Sequence, residues 1–248
     1  MSAPASFDAL ARAYEAFRTG YAGELFDVLF EAGLAAGERV VDVGCGTGLV
    51  TEELVRRGCR LSGVDLSEPM LERARARVPQ ASFLTAAAEA LPFSAAAFDA
   101  ATSAQAFHWF DQPRALAELA RVVRPGGLVA IWWKAIVRGD PVRSARDQVA
   151  RELGLEPTPD VLAGGFPAFD AAPLCERRLR VIPWRIETTV AEFLGYERSR
   201  ARARAAYGER LEDYFALLAR RLGDPAAVLS IGYVQHLYLG RVPRAASG

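Results

Sequence analysis

The chain is poor in the residues that build metal and disulfide centres. Its 248 residues include two histidines and three cysteines, and Cys45, Cys59 and Cys175 show no C-x-x-C spacing. Neither a disulfide framework nor a structural zinc site is indicated. His108 and His236 are too far apart in sequence to suggest a metal pair. An excess of one charge is also missing: 30 basic and 30 acidic residues cancel, which gives no push toward nucleic acid. Lys134 is the only lysine, arginine supplying every other basic residue. No apolar run reaches the ~18 residues that a membrane span requires, and the first residues lack a basic-then-apolar leader pattern. The expectation is a metal-free protein in the reducing cytoplasm.

What is present is a 51% hydrophobic chain, long enough for one large α/β domain or a core carrying an inserted lid. Residues Val40-Val41-Asp42-Val43-Gly44-Cys45-Gly46-Thr47-Gly48 join a β-branched run to three alternating glycines, directly ahead of a helical pattern. Such a run suits a buried parallel strand, and the glycines permit positive φ and close approach of a ligand to the backbone. A βα turn that needs glycine for geometry alone is the alternative. A dinucleotide loop aligned on Gly44 and Gly46 requires Gly or Ala at position 49, where this chain has Leu49. Arg60 to Asp65 reads as the next strand, ending in a carboxylate able to accept from two ribose hydroxyls. Asp65 reads alternatively as an acid at the start of the following helix, ahead of Ser67 and Glu68. Asp42 is expected to orient the glycine loop or to meet the ligand.

Helical periodicity covers Phe7 to Phe17 and Gly23 to Leu34. Strands are expected near 39–43, 60–64, 81–85, 97–103 and 127–133, with helices at 48–57, 68–77 and 113–123 between them. Asp111 and Pro113 open the last of these helices, and Pro125-Gly126-Gly127 is expected to end it. This alternation argues for a parallel sheet covered on both faces. Beyond Lys134 the rhythm changes to helical stretches at 140–153 and 188–222, a proline- and glycine-rich connection at 156–173, and β-like runs at 175–186 and 228–239. The arginines of Arg198-Ser199-Arg200-Ala201-Arg202-Ala203-Arg204 fall at every second position, which a helix spreads over several faces. A solvated helix is expected there rather than a patch for an anionic substrate.

The G-x-G-x-G register of Gly44 to Gly48 resembles motif I of class I S-adenosylmethionine-dependent methyltransferases. Phe83 to Phe93 is similar to the third cofactor motif of that family, with Ala86 and Ala87 in place of its Gly-Asp or Gly-Ser pair. Phe98 to Asp111, Ala120 to Gly127 and Trp132-Trp133 resemble the methyltransferase type 11 group and, within it, the subgroup that includes trans-aconitate methyltransferase. The resemblance spans roughly residues 7–134, about half the chain, in four ordered motifs. It implies an α/β fold: a Rossmann-like, doubly wound, seven-stranded sheet, mostly parallel with one antiparallel strand, plus N-terminal helices and a C-terminal helical lid insertion. Residues 1–35 would form the N-terminal cover, 36–138 the cofactor-binding core, and 139–248 the lid with the last two strands.

The implied cofactor is S-adenosylmethionine, leaving as S-adenosylhomocysteine. Asp42, Gly44, Cys45, Gly46 and Gly48 would lie at its methionine half, Asp65 and Leu66 at the ribose, and Ala104 and Gln105 beside the reactive end. The backbone around Ala88 and Glu89 would meet the adenine in place of a side chain at Ala87. Tyr14, Arg18 and Tyr21 are similar to the Y-x-x-x-R-x-x-Y stretch preceding the core in this subgroup. Arg18 would pair bidentately with the methionine carboxylate, a surface arginine beside two packing tyrosines being the alternative.

On the substrate side stand Phe107, His108, Trp109 and Trp133. Aromatic faces stabilise a desolvated cation by up to ~2 kcal/mol, a role open to Phe107, Trp109 and Tyr14 as much as plain core packing. His108 is the one ionisable candidate near the reacting methyl and would act as general base for an acceptor that must lose a proton; a hydrogen-bonded structural histidine is the alternative. Gln105, which both donates and accepts, is expected to orient cofactor or substrate, and His236 to be structural. No N/D-P-P-Y sequence follows the fourth strand and no cysteine follows a proline, which argues against nucleic-acid methylation.

The expected activity is methyl transfer to an oxygen, nitrogen or carbon of a small-molecule metabolite by in-line displacement. A monomer or homodimer is expected, with no nucleic-acid or membrane partner. An NAD-dependent oxidoreductase is disfavoured by Leu49. A non-catalytic S-adenosylmethionine-binding protein, or one using the fold for another reaction, is the remaining alternative.

Overall fold

Val40, Val41 and Val43 form the buried heart of strand β1 (Arg39–Val43) in a computed structural model that describes residues 20–158 and 165–244. Strands β2 (Arg60–Asp65), β3 (Ser82–Thr85), β4 (Phe98–Ala104), β5 (Val123–Ile136), β6 (Cys175–Thr189) and β7 (Val228–Arg241) complete one seven-stranded sheet of order β3-β2-β1-β4-β5-β7-β6. The first five in that order are parallel. Only β7 runs against its neighbours, β5 and β6, so the sheet has the composition expected from the sequence. Strand order reverses where β1 lies between β2 and β4, and a doubly wound sheet opens its ligand crevice at the carboxyl ends of such strands.

Helix α1 (Gly23–Glu31) covers one face, with Leu25, Phe26 and Leu29 on Val40, Ala130 and Trp132. Helices α2 (Leu49–Arg56) and α3 (Glu68–Arg77) follow β1 and β2. The opposite face receives α4 (Gln112–Val122), whose Ala115, Leu116, Leu119 and Val122 form one apolar stripe, each fully buried leucine contributing ~1.5–3 kcal/mol. Asp111 caps α4 by accepting the Arg114 N–H at 3.3 Å, and Pro113 sits in its first turn, as its fixed φ allows. The remaining helices are α5 (Pro141–Glu152), the short α6 (Pro167–Asp170), α7 (Val190–Arg198), α8 (Ala201–Tyr207) and α9 (Leu211–Leu222). Phe193, Phe215 and Leu218 form a second core with Val149 of α5 and Ile231 of β7, while Phe169 of α6 packs in the main core. Among the described residues, no helix is long and apolar enough to cross a membrane.

Three boundaries depart from expectation. Pro125-Gly126-Gly127 does not end α4, which stops at Val122; the chain passes straight into β5. A Cβ at Gly127 would fall 2.5 Å from the Asp99 carbonyl oxygen, and Val242 exchanges hydrogen bonds with Gly126 (2.8 Å) and Gly127 (3.0 Å). The glycines therefore serve close strand approach. Strand β6 continues past 186 because its ladder with β7 extends to Thr189 opposite Val228, and Thr189 then caps α7 through a capping box with Glu192. The single helical stretch expected over 188–222 is three helices, broken at Arg200, whose ψ of 115° is extended, and at Gly208. The helix expected over 7–17, together with Tyr14 and Arg18, falls outside the described residues, Arg18 being just beyond that expected helix.

Candidate active site

Gly44, Gly46 and Gly48 adopt φ of +72°, +54° and +82°, a region costly for residues with a Cβ. The loop is tied down by its own backbone: Gly44 and Cys45 donate to the Val64 carbonyl at 2.7 and 3.1 Å, and Gly48 is the N-cap of α2. A Cβ on Gly44 would lie 2.4 Å from Ala106 Cβ, so the loop is also pressed against the segment after β4. Cys45 turns its buried side chain onto Leu71 and Phe83, and burial pushes its thiol up; toward the cleft it offers mainly backbone.

Asp65 holds the loop from the side. Its Oδ2 accepts the Gly46 N–H at 2.9 Å and its Oδ1 the Ser67 N–H at 3.0 Å. Burial pushes this carboxyl up against the opposing backbone N–H groups of Ser67, Gly46 and Leu66. Each carboxylate oxygen has a further lone pair, so accepting ribose hydroxyls is compatible with both bonds. Asp42 lies deeper, 1% exposed, and accepts the hydroxyls of Thr51 at 2.9 Å and Thr102 at 3.0 Å. Burial pushes it up to about 6, outweighing those two bonds. It fastens α2 and β4 to β1.

A narrow cleft, open to solvent, runs along this loop. It brings together Tyr21, Asp42, Gly44, Cys45 and Ala104, all anticipated from sequence, with Thr47, Leu49 and Val50, which were not. Thr47 carries the more telling signal: its hydroxyl is buried and has no hydrogen-bond partner, an incomplete polar group beside the place a ligand would lie. Leu66, Ala88 and Glu89 are not part of that lining. Leu66 is exposed, Ala88 is buried, and Glu89 accepts the Asp111 N–H at 2.7 Å, bracing the start of α4.

Beyond β4 the aromatic segment divides. Gln105 takes φ of +56°, donates its backbone N–H to the Trp132 carbonyl at 2.9 Å, and donates Nε2 to the Lys134 carbonyl at 3.2 Å. A non-glycine residue at positive φ is costly and persists where its surroundings fix it. Phe107 is fully buried against Phe110 and Phe166, which makes it a core residue rather than the substrate contact expected. Trp109 is exposed. The indole N–H of Trp133, a group that only donates, points to His108 Nδ1 at 3.2 Å. With Nδ1 engaged in this way, a neutral His108 ring would carry its proton on Nε2. Trp133 itself is buried edge-on to Phe166. His236 lies opposite Trp133 in the β5–β7 ladder.

Lys134 holds a place that sequence pattern does not reveal. Its ammonium donates to the Gly20 carbonyl at 3.0 Å and lies 5.2 to 5.5 Å from the ring centroids of Tyr21, Trp184, Tyr196 and Tyr233, within cation–π range of all four. The only available sequence signal was that it is the sole lysine.

The methyltransferase domain family matches residues 41–131. An uncharacterised methyltransferase of Mycobacterium tuberculosis is 41% identical over 149 residues, 60% of this chain and 57% of that protein. The chain thus matches little more than half the length of that relative. The malonyl-[acyl-carrier protein] O-methyltransferase of Salmonella typhimurium is 47% identical over 92 residues, 37% of each chain. A solved structure described as a type II methyltransferase from Anaeromyxobacter dehalogenans superposes with a TM-score of 0.65 at 30% identity, over 93% of this chain and 100% of that one.

Proposed function

Because this chain belongs to the class I S-adenosylmethionine-dependent methyltransferase family, we propose that it transfers a methyl group to an oxygen, nitrogen or carbon of a small-molecule metabolite by in-line displacement. The observation that carries the reading is the glycine loop clamped by Asp65 through the Gly46 N–H, with the orphan Thr47 hydroxyl in the adjoining cleft. These groups fit an adenosyl cofactor: backbone able to approach closely, a carboxylate for a ribose, and an unfilled hydroxyl. S-adenosylmethionine, when bound, supplies an electrophilic methyl group on a sulfonium.

The residues do the rest. Gly44 to Gly48 and Asp65 hold the cofactor, Tyr21 closes the cleft from the N-terminal side, and Arg18 is proposed to meet the methionine carboxylate. Gln105, locked to Lys134, fixes the edge of the reacting region. Orientation of this kind is worth ~7–11 kcal/mol of barrier in favourable cases. His108, donating from Nε2, orients an acceptor oxygen rather than removing a proton from it. Such an acceptor arrives already ionised, which favours a carboxylate over an alcohol or an amine. The relative that methylates the malonyl group of an acyl-carrier protein supports this preference. Membership of the subgroup containing trans-aconitate methyltransferase, a cytoplasmic location, the division into cover, core and lid, and the absence of a nucleic-acid partner belong to the same proposal.

The test is incubation of the purified protein with methyl-labelled S-adenosylmethionine and a panel of carboxylate, hydroxyl and amine acceptors. Labelled ester is expected. Tight binding of S-adenosylhomocysteine with no transfer to any acceptor would favour a non-catalytic role or a different reaction on the same fold.

A further inference from the structure

Arg146, Glu197 and Tyr214, all buried, and the partly exposed Arg200 form a donor-rich cluster. Arg146 of α5 lies 3.1 Å from the Glu197 carboxylate of α7, and Arg200, just beyond α7, meets the same carboxylate at 2.9 and 3.0 Å. Glu197 is 1% and Arg146 9% exposed. Among the described residues, no other carboxylate is within ion-pair distance of Arg146 or Arg200, so two guanidinium groups share one negative charge. Burial pushes the Glu197 carboxyl up, yet those two cations outweigh it and hold it low.

The hydrogen-bond pattern shows the same imbalance. The Arg146 Nε–H has no acceptor despite its nearness to Glu197, and the buried Tyr214 hydroxyl has none for its proton. Another Arg146 nitrogen donates to Thr158 Oγ1 at 3.2 Å. Buried donors left without acceptors are costly, and an anionic group placed against them relieves that cost.

The cluster borders the site already described. Tyr21 lines the cleft and faces Lys134, whose ammonium also faces Tyr196 and Tyr233; Glu197 is the next residue after Tyr196. We propose that Arg146, Arg200 and the Tyr214 hydroxyl form a subsite for an anionic group, a carboxylate or a phosphate, carried by the methyl acceptor. The proposal rests on the methyltransferase reading and gives Arg200, alone of the Arg198–Arg204 run, a binding role; Arg198 and Arg204 stay exposed as expected.

The experiment titrates sodium malonate and, separately, inorganic phosphate into the full chain at constant ionic strength, following thermal unfolding and calorimetric heat, with S-adenosylhomocysteine binding measured on the same preparation. Saturable stabilisation by one or both anions is expected, and the stronger arm identifies the anion. Arg200→Gln is expected to weaken that binding by about tenfold or more, since a charge-assisted contact is lost. Glu197→Gln is expected to lower basal stability and to enlarge the anion-induced rise in Tm. Absence of saturable anion binding in the wild type, or binding unchanged by Arg200→Gln, would overturn the subsite; should a variant fail to fold, the wild-type titration still decides. If S-adenosylhomocysteine binds while neither anion does, the subsite fails and the methyltransferase reading stands. Anion binding without S-adenosylhomocysteine binding would instead sink the methyltransferase reading and leave an anion site of another purpose, overturning its assignment to a methyl acceptor.

Discussion

Trp133 Nε1 donates to His108 Nδ1 at 3.2 Å across 25 positions of sequence. One contact between β5 and the turn after β4 therefore favours one tautomer of His108, the residue proposed to face the methyl acceptor. Nitrogen-15 spectra of the neutral protein are expected to show His108 protonated on Nε2. In Trp133→Phe the selection is lost and a mixture of tautomers appears, together with ~1–3 kcal/mol of destabilisation from the lost bond and the altered packing. An Nδ1–H tautomer in the wild type would sink the donor role.

Asp42 gives a pH prediction. Its folded-state value of about 6 stands above the unfolded 3.8, so the unfolded chain releases this proton first. The favourable contribution is complete below about pH 4 and disappears as pH rises through 6, a loss of ~3 kcal/mol. Asp42→Asn removes the titration while an amide can still bond Thr51 and Thr102. In urea unfolding, the stability of the variant relative to wild type is expected to rise by up to ~3 kcal/mol between pH 4 and pH 8. A difference that stays constant with pH would contradict the burial argument.

Two glycines at similar φ separate backbone strain from close approach. At Gly154, φ is +68° and nothing lies within 4 Å of an added Cβ, whereas at Gly44, φ is +72° and Ala106 Cβ is 2.4 Å away. Gly154→Ala is expected to cost ~1–2 kcal/mol from conformation alone. Gly44→Ala adds a clash, displaces the loop and should also abolish S-adenosylhomocysteine binding. Equal effects on stability and binding would show that the packing of Ala106 on the loop is unimportant.

The parallel core was legible in the sequence because its signals are local. Val40 to Val43 name a buried strand, Gly44 to Gly48 a loop with positive φ, and Asp111 with Pro113 a helix start; all three are where the residues put them. Pro125 to Gly127 misled because the same residues suit both a helix stop and a tight strand approach, and only the position of Asp99 distinguishes them. Phe107 and His108 are adjacent in sequence, yet one is core and the other points at Trp133. The pairing of Arg200 and Arg146 on Glu197 depends on how α5 and α7 meet, which no local pattern records. Periodicity assigned the arginine run to solvent, where Arg198 and Arg204 lie, and missed Arg200 for that reason.

Asp65 decides the central claim, because it joins the glycine loop to the start of α3 through the Gly46 and Ser67 N–H groups. Calorimetry of S-adenosylhomocysteine against wild type and Asp65→Asn, with NAD as the competing ligand, tests it most directly. One site per chain is expected, weakened by about 10- to 100-fold in the variant as charge-assisted bonds worth ~1.5–3 kcal/mol are lost, and no binding of NAD. Saturable binding of NAD, or no heat with S-adenosylhomocysteine, would contradict it.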